Sequence, residues 1–198
     1  MSDYQVFRDL SIHLQTLLFD GLSFFAAPVP TKNSISFLSP AEIADLDQND
    51  QNSLRISLYP FLVQPNGQLN NDRFIHIGNV QYAPPFYVDV SYLITPIAPL
   101  PADNLVLLGG IINVLSTHGI LHAPFLRESL RPSQGEARLR LLQYDLENMS
   151  KLWSAISKPY RMSLCYEVAA VPVEGLRLPQ SGPPVEEAVL DIRKMTGA

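Results

Sequence analysis

LWSAISKPYRMSLCYEV, Leu152 to Val168, decides the fold, because a helix end, a proline break and an alternating strand follow one another with no room for a loop. Trp153, the only tryptophan, lies on the helix. Lys158-Pro159 stops its last turn, since a residue ahead of proline is pushed out of the helical region. A strand over Met162 to Val173 follows directly.

Working outward, PPFYVDVSYLIT, Pro84 to Thr95, is dense in β-branched and aromatic residues and apolar on both alternating faces, as a central strand requires. Pro96, Pro99 and Pro101 are expected to end it. The next segment predicts a helix from Asp103 to Thr117, with Leu107, Leu108, Ile111, Val114 and Leu115 on one side and Gly119 as a left-handed terminator. Upstream, Leu54, Ile56 and Leu58 alternate with Arg55, Ser57 and Tyr59 in a half-buried strand that Asn66-Gly67 breaks. Ser34 to Leu38 reads as a short strand, and Ser39-Pro40-Ala41-Glu42 has the form of a capping box opening a helix to about Leu46. At the N-terminus, Tyr4 to Asp20 predicts a helix capped by Asp3 and ended by Gly21, with Val6, Phe7, Leu10, Leu14, Leu17 and Leu18 as its apolar stripe. Ala137 to Tyr144 alternates Leu139 and Leu141 against Arg138 and Arg140, a strand with one wet face. Asn70 to Gln81 fits a loop or a poorly patterned edge strand equally well.

Helices distributed among strands favour an α/β (α+β) fold, a mixed, largely antiparallel sheet flanked by helices, over an all-β sandwich. The body spans 1–173. From Glu174-Gly175 to Pro183-Pro184 the composition is that of an irregular linker, 174–184. A C-terminal arm, 185–198, follows. In it Ala188, Leu190 and Ile192 alternate as in a strand, while Val185, Val189 and Ile192 share a helical face, so periodicity leaves both open.

The 198 residues, 46% of them hydrophobic, suffice for one core. A net charge of −5 without clustered Lys and Arg argues against nucleic-acid binding. The single cysteine, Cys165, has no internal disulfide partner and its apolar strand reads as burial, in keeping with a reducing cytoplasm. No segment has the pattern of a signal peptide or the roughly 20 apolar residues of a membrane helix. Export of this chain is therefore expected to need lysis or another bulk route.

Chemistry-bearing residues are sparse. His118 and His122 have i, i+4 spacing, but Gly119 interrupts them, and a zinc site would need a third ligand from His13, His76, Cys165 or a carboxylate. Gly109-Gly110 lacks the lysine and Ser/Thr of a phosphate loop and reads as close helix packing. Asp89, alone among apolar neighbours, needs a partner such as Arg161 or a backbone amide. Trp153 and Tyr160 read as packing, with the indole N–H bonded nearby. No catalytic, metal or cofactor-binding set emerges, and no cofactor is expected.

The Leu152–Val168 unit, Pro84–Thr95, LLGGIINVLSTHGIL from Leu107 to Leu121 and SLRISLYPF from Ser53 to Phe61 together resemble the tail-terminator (cap) proteins of extracellular contractile injection systems, the virulence-cassette and antifeeding-prophage type. The resemblance covers most of Tyr4 to Val173. It implies a structural, non-enzymatic protein. It further implies a homo-hexameric ring on the distal end of an inner tube and contractile sheath, with tube and sheath proteins as partners and no membrane insertion. Val185, Ala188, Val189, Leu190 and Ile192 of the arm are the expected sheath contacts, by strand addition to a neighbour's sheet after a flexible linker; completion of the chain's own sheet by the same segment fits the pattern equally well. A contractile-bacteriophage tail terminator, and a small α/β enzyme or ligand-binding domain built around Asp89 and the four histidines, are the competing readings.

Overall fold

The computed structural model describes residues 5–24, 28–46, 54–70, 75–77, 80–82, 86–121, 136–173 and 180–181. In chain order they form α1 (Val6–Leu22), β1 (Ile35–Ser36), α2 (Pro40–Leu46), β2 (Arg55–Pro65), β3 (Ile75–Ile77), β4 (Val80–Tyr82), β5 (Phe86–Ile97), α3 (Pro101–Thr117), β6 (Ile120–Leu121), β7 (Ala137–Leu141), α4 (Leu146–Ile156), β8 (Leu164–Val173) and β9 (Gln180–Ser181). A six-stranded sheet has the order β1-β2-β5-β8-β7-β6. It is antiparallel except for the β1–β2 pair, so the fold is the expected α+β arrangement. A second sheet joins β3, β4 and β9.

β5 is central, and its side chains are buried without a break from Tyr87 to Pro96 because helices cover both of its faces. On one face Val88, Val90, Tyr92 and Ile94 meet Leu10, Leu14 and Leu18 of α1 and Leu107, Ile111 and Leu115 of α3. On the other, Leu93 and Cys165 meet Met149 and Trp153 of α4. The predicted stripe of α3 is buried in full. In α1 the stripe shifts: Val6, Leu10, Leu14, Leu18 and Leu22 are buried, whereas Phe7 is half-exposed.

Several termini differ from the sequence reading. α1 runs through Gly21 to Leu22, because Gly21 is where α3 crosses: a Cβ there would lie 2.5 Å from a Val114 methyl. Asp3 lies outside the described residues, and the N-cap position is Gln5, which makes no side-chain capping bond. The capping box of α2 forms as expected, Ser39 N–H donating to Glu42 Oε2 at 2.8 Å and Glu42 N–H to Ser39 Oγ at 3.3 Å. β5 passes through Pro96, because that nitrogen faces the β8 side and β8 has not yet begun at this level; its first pair is Ile94 with Leu164. Gly119 is not left-handed. Instead the His118 ring nitrogen Nδ1 sits 2.8 Å from Val114 O and closes the end of α3. α4 ends one residue before Lys158, at Ser157 in the left-handed region (φ 59°), and Asp145 caps its start by accepting from Asn148 N–H at 2.7 Å. Leu141 is exposed rather than buried. The open stretch 70–81 contains the β3–β4 hairpin, and within the expected linker Gln180–Ser181 pairs with β4.

Candidate functional site

Asp89, the foremost carboxylate of the sequence, is buried and fully occupied by structure. It accepts from Asn66 Nδ2 at 2.8 Å and from the Ala170 N–H at 2.9 Å. The backbone amide is therefore its partner, and Arg161 is not. Asp89 stands opposite an irregularity in β8, where Val88 pairs with Val171 but Val90 pairs with Val168. The extra residue holds Ala170 at φ 63°, strained for any residue with a Cβ. The carboxylate fixes that strained amide, so its work is architectural.

Sequence reasoning saw Asn66 only as a strand breaker. Its side chain joins three segments: Oδ1 accepts from Gln68 and Leu69 N–H, both at 3.0 Å, while Nδ2 reaches Asp89. Asn70 completes the latch, donating to Tyr87 O at 2.9 Å and accepting from Tyr87 N–H at 2.7 Å. An Asn-x-x-x-Asn pattern after a strand was the available signal, but which strand it grips depends on register.

The other candidates are equally structural. Burial pushes the Cys165 thiol up to about 11, and its Sγ lies 3.6 Å from Met149 Sδ, which leaves no thiolate for chemistry at neutral pH. Burial pushes the Tyr92 phenol up to about 12, and its hydroxyl shares a 2.9 Å hydrogen bond with Ser11 Oγ inside the core. Burial, and then the nearby His118, lower the His13 pKa. His122 lies outside the described residues. Among the described residues no three His, Cys, Asp or Glu side chains converge on a metal position. Trp153 is buried and meets Tyr160 edge to face at 6.0 Å, but among the described residues its indole N–H finds no hydrogen-bond acceptor, contrary to expectation. Of the pair read as close helix packing, Gly110 is buried, whereas a Cβ at Gly109 would meet nothing. An open groove of about 340 Å³ is lined by Val29, Thr31, Asn33, Ser34, Leu54 and Arg55, with no carboxylate, histidine or cysteine among them.

What remains chemically unusual is apolar surface. α3 carries no charged side chain after Asp103, and its outer side exposes Leu105 at 60%, Val106 at 52% and Ile112 at 39% around the open Gly109. A helix apolar on both sides belongs in a covered setting, and no helix of the described residues is long and apolar enough to cross a membrane. Exposed apolar surface of this kind marks contact sites on protein surfaces. The expected arm residues Val185, Ala188, Val189, Leu190 and Ile192 lie outside the described residues.

Two solved structures share the fold. The sheath/tube terminator of an extracellular contractile injection system, PVC, in its extended state matches with a TM-score of 0.64 at 18% identity, over 96% of this chain and 64% of that one. The tube-terminating cap of the anti-feeding prophage matches with a TM-score of 0.56 at 15% identity, over 88% of this chain and 57% of that one. The chain thus spans somewhat less than two thirds of the length of either. No curated protein sequence matches it. The family model of the Pvc16 N-terminal domain matches residues 9–187. With nearly its whole length inside that match, the chain belongs to the Pvc16 N-terminal domain family.

Proposed function

We propose that this chain is a tail terminator, a structural cap that closes the distal end of the inner tube and contractile sheath of a phage-tail-like injection particle. The observation that carries the reading is the shared fold with two solved terminators, joined to membership of the Pvc16 N-terminal domain family. The internal chemistry agrees: Asp89 is engaged in holding the fold and the Cys165 thiol is buried against Met149, and the unusual surface is adhesive.

The physical task is to end a polymer. A subunit of a helical tube presents matching surfaces above and below, and such head-to-tail contacts propagate until something breaks the match. A cap mates with the last layer and offers no equivalent surface above. In this reading the chain forms a homo-hexameric ring, with the uncharged outer side of α3 among its contact surfaces, and its partners are the tube and sheath proteins. Sixfold engagement lets each contact be modest while the ring stays attached through contraction, because every bond after the first forms at high effective concentration. The ring is assembled inside the cell and travels with the particle. No enzymatic step, cofactor or nucleic acid enters the role.

The body 1–173 forms the ring, and the arm 185–198 after the linker reaches the sheath. Val185, Ala188, Val189, Leu190 and Ile192 supply a strand-compatible pattern for addition to the edge of a sheath subunit's sheet. Deleting Pro183 to Ala198 is expected to keep the thermal transition of the body and abolish sheath capture. An unfolded product would instead make the arm part of the body. For the role itself, particles from cells lacking the gene are expected to show tubes and sheaths of uncontrolled length in electron micrographs. Uniform, contractile particles from such cells would refute it.

A further inference from the structure

We infer that Pro60 and Pro65 close the outer edge of the six-stranded sheet to strand addition, a device that stands whether or not the chain caps a tube. β1 pairs with β2 only at Ile56 and Ser57, a parallel ladder that ends on the Leu58 amide, so from Tyr59 to Pro65 no described strand lies on the outer side of β2. Which backbone groups face that open side follows from the register. Leu142 N–H donates to Cys165 O at 2.8 Å, so Cys165 addresses β7 and the next residue, Tyr166, addresses β5. Tyr166 pairs with Tyr92, whose backbone groups are thereby committed to β8. Pro60, opposite Tyr92 on the other side, turns its nitrogen away from β5 and out to the open edge. At the far end Asn66 N–H donates to Tyr87 O at 2.9 Å, so Asn66 faces inward and Pro65 faces out.

In a regular strand residues 60 and 65 would address opposite edges, because alternation has a period of two. The register irregularity between Pro60 and Leu62 resets the alternation, and Phe61 is the residue left over. Its ring is kept in the α4 cluster, edge to face with Tyr144 at 6.3 Å. Beyond the end of β1 the outward positions are therefore Pro60, Val63 and Pro65, and two of the three have no N–H to give. The same stretch exposes Leu62 at 40% and Val63 at 49%. An apolar strand edge of this kind is a template for pairing with other chains, and proline is one of the means by which such edges are blocked. An incoming strand meets carbonyls that can accept, but of the three donors that a ladder needs here only Val63 N–H is present.

The test begins with the unaltered protein at low concentration. Amide hydrogen exchange should be fast at Val63, which faces the open edge, and slow at Leu62 and Gln64, which face β5. Equal protection at Val63 and Gln64 would mean that the edge is already covered, and would overturn the inference. The double variant Pro60→Thr/Pro65→Thr restores both donors. Its weight-average mass in light scattering should rise by about twofold or more over the unaltered protein at equal concentration, and adding Val63→Pro should reverse the rise. A folded double variant with unchanged mass contradicts the inference, as does association that Val63→Pro leaves in place. Should the double variant lack a cooperative thermal transition, the single variants are read in the same way, and the exchange pattern decides independently of all of them.

Discussion

On one face of the main sheet α1 and α3 lay a continuous apolar layer, Leu10, Leu14, Leu18, Leu107, Ile111 and Leu115 against β5 and its neighbours. On the other, α4 contributes Met149 and Trp153 over Leu93 and Cys165. By strand alternation that face also carries Ser57, Asp89, Ser91, Thr95 and Glu167, all of them buried. Apolar burial is non-directional and supplies most of the folding free energy, whereas buried polar groups demand particular partners. Ser57 Oγ donates to Leu38 O at 2.7 Å, Arg140 Nε donates to Glu167 Oε1 at 2.7 Å, and Asp89 holds Asn66 and Ala170. The first face makes the sheet stable; the second fixes its register and bulges.

That division can be broken most forcefully by truncating one large side chain on each face. Leu14→Ala and Trp153→Ala should each cost about 3 to 5 kcal/mol in chemical denaturation. Their hydrogen-exchange signatures should differ: Leu14→Ala should lower protection throughout β2, β5 and β8, and Trp153→Ala chiefly in α4. Equal loss across the sheet from both would show that the two faces form one cooperative unit.

Removing the polar latch is the next largest effect. Asp89→Ala leaves the Ala170 N–H and the Asn66 amide without an acceptor, and should cost roughly 2 kcal/mol by thermal or urea unfolding. Asp89→Asn keeps one acceptor for Ala170 and should cost less. An Asp89→Ala variant as stable as its parent would remove the register role assigned to this face.

Ala170→Gly works in the opposite direction. Relief of the left-handed strain outweighs the added freedom of the unfolded chain, for a net gain of about 0.5 kcal/mol. A loss of stability would mean that the Ala170 methyl packs to better effect than the strain it imposes.

The smallest effect belongs to the apolar face. The pKa of His13 is lowered by burial from its ordinary 6.5, so below that pH the unfolded chain takes up a proton that the folded chain refuses. Stability should fall as the pH drops through the interval between the ordinary and the lowered value, then level off. The slope should be shallow, because His13 is only partly buried, and His13→Gln should flatten it. An unchanged slope would place the titrating group elsewhere.

What the sequence made legible divides along the same line. β5 and the buried side of α3 could be read directly, because apolar packing leaves a period in the residues that take part. The register-setting features could not. The irregularities at Phe61 and Ala170 carry no glycine to announce them, and Asn66 finds Asp89 only after β2 and β5 are aligned. Pro96 reads as a terminator until β8 is known to start at Leu164. β3, β4 and β9 are too short, at three, three and two residues, to show any period. For the candidate site, the sequence correctly raised Asp89 as a buried carboxylate in need of a partner. It gave no sign that the outer side of α3 would remain uncovered, since a helix apolar all round reads the same whether its second side meets its own chain or another.

The central claim, that this chain ends a tube, is tested most directly by locating it in assembled particles. With a small electron-dense tag on the chain, micrographs of intact particles should show label at one end only, the end distal to the baseplate, as a single ring. Label distributed along the shaft, or its absence from finished particles, would contradict the account.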